Sequence, residues 1–245
     1  MLNNPTIEKL SSMKLSGMLK AFREQMETPG AGEMSFEERF GLVVDREKTE
    51  RENRKLTIRL KKARFRLGAT VEDVDFAQSR GLDKGVIRSL SACQWVREHN
   101  NVLIVGSTGV GKSYLAEALA HKACMNGFAP QKERLPALMT DLTAGKGDGR
   151  YKRLMNAMAK ADPLILDDFG LVPLNSDNRR DLLEILESRY STKSTIVTSQ
   201  LPINKWHEAV GDPTMADAIL DRLVHNAYKI VLKGESMRKT KRKVD

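Results

Sequence analysis

The sequence predicts an α/β fold organised around a phosphate-binding loop, with a small helical domain ahead of it. Two stretches carry that prediction. In Val102 to Ser113 a short apolar, β-branched run gives way to a glycine-rich turn and then to a helix opening on Lys112-Ser113. This is the G-x-x-x-x-G-K-[ST] pattern in the strand–loop–helix setting it requires. In Pro163 to Gly170 an apolar strand ends in Asp167-Asp168, which puts carboxylates at the edge where open α/β sheets bind their ligands. One triphosphate site needs both halves, so together they point to a protein that binds a nucleoside triphosphate.

Bulk properties narrow the class. A chain of 245 residues fits one ordinary domain plus a small appendage. Its formal charge of +9 favours polyanionic partners. Cys93 and Cys124 form no C-x-x-C pair, and His99, His121, His207 and His225 form no ligand pair or triad. Neither a disulfide framework nor a zinc site is expected, and a reducing cytosol fits. The first residues lack the basic-then-apolar layout of a signal peptide, and no apolar run approaches the roughly 20 residues needed to span a bilayer. A soluble, cytoplasmic protein with no membrane partner is expected.

Residues 1–66 read as an N-terminal helical arm. Ile7, Leu10, Met13, Leu15, Met18, Leu19, Phe22 and Met26 recur near helical spacing and predict one amphipathic helix, ended by Thr28-Pro29-Gly30-Ala31-Gly32. Ser35-Phe36-Glu37-Glu38 has the form of a capping box. It opens a second helix with Phe36, Phe40 and Val43 on one face, and the two helices are expected to pack as a hairpin. Between Glu52 and Glu72 the charged residues are all basic: Arg54, Lys55, Arg59, Lys61, Lys62, Arg64 and Arg66. A one-sided run fits contact with a nucleic-acid phosphate backbone better than a mixed solvated face does. Leu56, Ile58, Leu60, Phe65 and Leu67 are interleaved, so this segment is also expected to pack on something. No stacking platform or recognition-helix signature accompanies the run, and sequence-specific readout is not expected.

Residues 67–245 read as the nucleotide-binding core. Phe76, Leu82, Ile87, Leu90 and Trp95 lead into the first strand at helix-like intervals, with Trp95 expected in the core. Glycines of the loop Gly106-Ser107-Thr108-Gly109-Val110-Gly111 let successive N–H groups turn inward on an anion, and the following helix adds its N-terminal partial charge. Lys112 is placed to reach the β- and γ-phosphates and Ser113 to join the coordination of Mg²⁺. A second strand is expected near residues 128–135, although Pro130, Gln131 and Lys132 are poor strand formers. Leu135 to Leu142 predicts a helix with Pro136 in its first turn. Gly145 to Arg150 reads as a flexible basic loop, and Tyr151 to Lys160 as a helix with Leu154, Met155 and Met158 inward.

In the second motif Asp167 is placed to hold Mg²⁺ through its water shell and Asp168 to orient the attacking water. Asn178 to Arg189 predicts a helix burying Leu182, Leu183, Ile185 and Leu186. Ser194 to Gln200 is a strand ending in polar residues, one of which could sense the γ-phosphate. Arg222 stands amid an apolar helix face, either as an ion-pair partner of Asp217 or Asp221 or as a finger for a neighbouring subunit's nucleotide. Lys229 to Leu232 closes the core, and the tail with Lys239, Lys241, Arg242 and Lys243 can add non-specific DNA affinity.

With these pieces in order, the sequence resembles the IstB-type ATP-binding proteins of bacterial insertion sequences, relatives of the helicase loader DnaC and the initiator DnaA within the AAA+ class. The resemblance covers nearly the whole chain. It is carried by Arg80-Gly81-Leu82-Asp83, Asn101 to Ser113, Leu164 to Leu174, Val197 to Leu201 and Gly234-Glu235-Ser236-Met237-Arg238. It implies a P-loop AAA+ core, a parallel sheet flanked by helices with ATP between adjacent subunits. It further implies an ATPase that assembles as a homo-oligomer on duplex DNA, bends it, and recruits or activates the transposase of the same element. Lys112 and Ser113 then hold phosphate and Mg²⁺, Asp167 serves Mg²⁺, and Asp168 takes the catalytic acid's place. Gln200, or in its stead Ser199, matches the first sensor, Arg222 the arginine finger, and Arg238 a second arginine near the γ-phosphate. Many AAA+ ATPases have glutamate where Asp168 stands, so slow hydrolysis is expected. The segment Ala129 to Arg134 is less apolar than the family's strand, and no C-terminal lid is expected after Arg238. A DnaC-like helicase loader is the alternative, and a small-molecule kinase a remote third class.

Overall fold

The computed structural model of the chain describes residues 5–76 and 80–237, so Arg238 and the tail lysines and arginine lie outside the described residues. It divides into two compact units, one ending at Ile58 and the other beginning at Arg59.

The first unit is helical. α1 (Pro5–Ser12) and α2 (Ser16–Glu27) replace the single helix predicted from hydrophobic spacing. The break is a Schellman-type end. Lys14 takes a left-handed φ of 59°, the Leu15 N–H donates to the Leu10 carbonyl, and the Lys14 N–H donates to the Ser11 carbonyl. Ser11 and Ser12, weak helix formers, sit at the stop. The expected capping box opens α3 (Phe36–Ala63), with the Glu38 N–H donating to Ser35 Oγ at 3.3 Å and the Ser35 N–H to Glu38 Oε2 at 2.8 Å. α2 and α3 do pack as an antiparallel hairpin. Gly17 lies so close to α3 that a Cβ there would meet Glu47 Cα at 2.6 Å. The Gly17 and Met18 N–H groups donate to the Glu47 carboxylate, a buried acid also paired with Arg51. Of the predicted apolar face, Val43 is buried, whereas Phe36 and Phe40 stack on each other in exposed positions.

The second unit holds the sheet. Its elements are α4 (Lys84–Ser91), α5 (Gln94–Arg97), β1 (Asn101–Gly106), α6 (Lys112–Met125), β2 (Gln131–Arg134), α7 (Leu135–Asp148), α8 (Tyr151–Lys160), β3 (Pro163–Phe169), α9 (Ser176–Arg189), β4 (Ser194–Ser199), α10 (Trp206–Val210), α11 (Pro213–Val224) and β5 (Ala227–Leu232). The strands are all parallel, in the order β2-β3-β4-β1-β5. Alternating side chains split the apolar residues between the two faces. Val102, Ile104, Ile165, Ile196 and Ile230 pack with α4, α5 and α6, while Leu103, Val105, Leu164, Leu166 and Val197 pack with α7, α9 and α11. Trp95 is fully buried in the first layer, as expected. None of the described helices is long and apolar enough to cross a membrane.

One local expectation fails, and one made against poor strand formers holds. The loop predicted at Gly145 to Arg150 is helical as far as Asp148, and α7 stops only at Gly149, which is left-handed. Gly145 faces the start of α8, where a Cβ would stand 3.1 Å from the Tyr151 amide nitrogen. Its glycine serves close packing between α7 and α8, which outweighs its poor helix propensity. Conversely, the doubtful strand exists. β2 is an edge strand paired only with β3, and Pro130 lies just outside it, where a missing donor costs little.

Candidate functional site

The sheet order assembles the site. β4 lies between β1 and β3, so the loop after β1, the acids ending β3 and the polar end of β4 meet at one edge. In the loop, Gly109 has a φ of 85° and Gly111 one of 101°, backbone that side-chain-bearing residues rarely adopt. A Cβ at Gly109 would collide with Ser236 Oγ, and the Met237 N–H donates 2.9 Å to the Gly109 carbonyl. The segment after β5 therefore lies against the phosphate loop. From the other side, Arg80 Nη1 donates to the Val110 carbonyl at 3.3 Å. Lys112 is buried, its ammonium donating to the Ser107 carbonyl at 2.8 Å across the loop.

The two motifs are joined directly. Ser113 Oγ donates to Asp167 Oδ1 at 2.8 Å, and Thr198 Oγ1 donates to the same oxygen. The other oxygen, Oδ2, lies 2.9 Å from Lys132 Nζ on β2. Burial alone would push the Asp167 carboxyl upward, but the Thr198 hydroxyl, the Lys132 ammonium and the Ser113 hydroxyl outweigh it and hold it below the usual aspartate value. Lys132 also lies 2.8 Å from Glu117 Oε1 on α6. Its burial favours the neutral amine, and the two carboxylates overcome that and keep it above the ordinary lysine value.

Asp168 sits in a bulge where the β3–β4 register shifts between Leu166 and Phe169, with a left-handed φ of 67°. That conformation turns its side chain away from the ladder, and Arg134 reaches Oδ2 through Nε at 2.9 Å and Nη2 at 2.8 Å. Bulges of this kind re-aim side chains beside functional sites.

At the end of β4, Gln200 Oε1 accepts from Thr108 Oγ1 at 2.8 Å, which brings Gln200 to the phosphate loop. Ser199 is turned inward, donating to the Phe169 carbonyl. Arg222 stands elsewhere. Its carbonyl accepts from Asn101 at the start of β1, the sheet edge opposite the loop. Its guanidinium pairs with Glu187 at 2.7 Å and Asp221 at 3.3 Å and lies over Tyr190, while Asp217 pairs instead with His207. Arg238 lies outside the described residues.

The basic run is distributed over both units. Arg54 and Lys55 are exposed on α3, and Arg54 donates to Ser16 Oγ at 2.7 Å. In the second unit Lys61 and Lys62 are exposed, Arg59 Nε donates to the Cys124 carbonyl at 3.0 Å, and Arg64 pairs with Glu133. Arg66 is exposed, though its backbone N–H is tied to Glu117.

Sequence reading gave no role to Lys132, Glu117, Thr198, Arg134 and Arg80, although Arg80 and Thr198 lie in stretches that carry the resemblance. One signal was present: Glu117 interrupts the apolar run Leu115 to Leu119 of the nucleotide-binding helix. A buried acid calls for a buried cation, and Lys132 in an otherwise unpromising strand was the natural partner.

A hydroxyl and a carboxylate oxygen side by side, at the start of the helix that follows the glycine loop, are the hard oxygen donors that fit Mg²⁺ with a triphosphate.

A family model described as IstB-like ATP binding protein matches residues 8–244. An insertion sequence ATP-binding protein of Sinorhizobium fredii (strain NBRC 101917 / NGR234) is 49% identical over 243 residues, 99% of each chain. The insertion sequence IS21 ATP-binding protein of Pseudomonas aeruginosa is 34% identical over 235 residues, 96% of this chain and 89% of that one. Among solved structures, DnaI superposes with a TM-score of 0.59 at 23% identity, covering 68% of this chain and 92% of that one. The DnaC helicase loader superposes with a TM-score of 0.55 at 20% identity, covering 68% and 98%. These two likenesses are of fold.

Proposed function

The chain belongs to the IstB-like ATP-binding protein family, and from that premise we propose that it is an ATPase regulator of DNA transposition that oligomerises on duplex DNA and recruits or activates its element's transposase. The observation that carries the nucleotide half is the bond from Ser113 to Asp167, two motif residues far apart in sequence meeting beside the phosphate loop. The basic run Arg54 to Arg66 and the insertion-sequence names of the relatives support the DNA half.

In this reading the loop N–H groups and the start of α6 bind the phosphates. Lys112 exchanges the Ser107 carbonyl for a phosphate oxygen, and Ser113 and Asp167 hold Mg²⁺. Bound there, Mg²⁺ would neutralise charge developing on the phosphates. Asp168 accepts a hydrogen bond from the attacking water and orients it. Gln200, already bonded to Thr108, reports the state of the γ-phosphate. Arg222 and Arg238 complete the site, Arg222 from a neighbouring subunit. The exposed Lys55, Lys61 and Lys62, with Arg54, Arg59, Arg64 and Arg66, contact the DNA backbone. The protein works in the cytoplasm.

Mass photometry on duplex DNA with ATP and Mg²⁺, with ADP, and without nucleotide tests the proposal. Large assemblies that require ATP and duplex are expected. Small particles indifferent to nucleotide, or a clear preference for single strands, would shift the reading to a helicase loader.

A further inference from the structure

Three charged groups are buried together behind the phosphate loop, and nucleotide binding as described uses only Asp167. The side chains of Lys132, Glu117 and Asp167 are 8%, 0% and 6% exposed. Buried ion clusters add little stability over apolar replacements, so the cluster's use lies in what it touches. Glu117 accepts the backbone N–H of Leu67 at 2.9 Å and that of Arg66 at 3.1 and 3.2 Å. Those are the residues at which the basic run ends and the chain enters the core. Glu133, the next residue on β2, takes the guanidinium of Arg64. One four-residue strand thus holds the carboxylate at the phosphate loop and also the last residues of the basic run.

The charge count matters as well. One ammonium faces two carboxylates, so the cluster carries a net negative charge, and one of its carboxylates is bonded to Ser113. With a cation held at Ser113 and Asp167, Lys132 would lose part of its hold on Asp167 and shift toward Glu117. Glu117 would then divide its oxygens differently between Lys132 and the two backbone N–H groups.

We propose that Lys132 is a positioning residue which holds Asp167 in place and, through Glu117, couples nucleotide occupancy to the backbone at Arg64 to Leu67. The inference rests on Asp167 and Ser113 being the metal-holding pair of the function proposed above. Coupling of this kind is reciprocal: phosphate contacts that pull on Arg59 to Arg66 change the hold on Asp167 as nucleotide changes the hold on them.

Hydrogen–deuterium exchange on the full chain tests it, following peptides over residues 64–68 with and without Mg²⁺ and a non-hydrolysable ATP analogue. Binding of a fluorescent ATP analogue is measured on the same samples. The wild type is expected to change its exchange rate there several-fold on binding. The change should vanish in Lys132→Met and in Glu117→Gln and return in Lys132→Arg. If the wild type binds nucleotide and the exchange at 64–68 stays constant, the coupling is overturned while the nucleotide site stands. If the wild type binds no nucleotide, both are overturned. A nucleotide-dependent change that persists in Lys132→Met removes Lys132 from the path. Should Lys132→Met fail to fold, Glu117→Gln, which preserves side-chain volume, decides: a persisting change overturns the path through Glu117.

Discussion

At the scale of residues, the Asp167–Lys132–Glu117 cluster fixes both a stability and its pH range. The Asp167 carboxyl is held below its ordinary 3.8, so its contribution is present above that pH and is lost as pH falls through the lower folded value. Lys132 is held above its ordinary 10.5, so its share is full below that pH and is lost as pH rises through the higher folded value. The contribution is therefore constant through neutrality. Lys132→Met leaves two buried carboxylates without their cation, an arrangement that costs about 3–5 kcal/mol. Urea unfolding of nucleotide-free protein at neutral pH measures this, and a loss under about 1 kcal/mol would mean that water already reaches the cluster. Asp168 permits a different prediction because its ion pair with Arg134 is partly exposed and adds little to stability. Asp168→Asn keeps the shape and removes the charge that the function proposed above uses to orient water, so ATP should still bind while turnover falls by about 100-fold or more. Assemblies on DNA should then persist after ATP addition, and disassembly at the wild-type rate would count against the role.

At the scale of elements, close helix contacts govern what can be changed. Gly17 lies against the α3 backbone, and a methyl group there would stand 2.6 Å from Glu47 Cα. Gly17→Ala should push α2 away from α3 and weaken the two N–H bonds to Glu47, a loss of about 1–3 kcal/mol. Limited proteolysis should cut faster within residues 5–58, while fluorescent-nucleotide binding by the core stays at the wild-type level. What sequence reading could see divides in the same way, between local coding and tertiary contact. The phosphate loop, β3 with its acids, the capping box at Ser35 and the helix Tyr151–Lys160 were legible because each is encoded by neighbours in the chain. The break at Lys14 was not, since the apolar spacing continues through it and only the left-handed turn interrupts the helix. Glycines at 145 and 147 read as a loop because propensity is local, whereas the packing of Gly145 on α8 is tertiary. β2 was doubtful for the same reason: its Lys132 looks misplaced until Glu117 and Asp167 are brought to it. Thr198 and Arg134 bond acids 31 and 34 residues away, pairings that no local pattern announces.

At the scale of the whole molecule, the two ends of the sheet carry different parts of one proposed site. The phosphate loop, Asp167, Asp168 and Gln200 share the edge at the strands' C-terminal ends, whereas Arg222 stands at the start of β1 with Glu187 and Asp221. An arginine there cannot serve the loop of its own subunit without rearranging the sheet, but it can serve a neighbour's in a head-to-tail assembly, where unlike surfaces meet. That geometry predicts complementation. Lys112→Ala should lose nucleotide binding at its own loop, and Arg222→Ala should bind nucleotide yet fail to hydrolyse it, so each variant alone is inactive on duplex DNA. In an equal mixture, about a quarter of interfaces pair an intact Lys112 with an intact neighbouring Arg222, so about a quarter of wild-type DNA-stimulated ATP turnover should return. Turnover that stays at the level of the separate variants would mean that Arg222 serves no neighbouring loop and acts only as the ion-pair partner of Glu187 and Asp221. The Glu187 pairing itself is separable: Glu187→Gln removes that tether without touching the loop, and under the trans reading the mixture experiment repeated in that background still recovers activity.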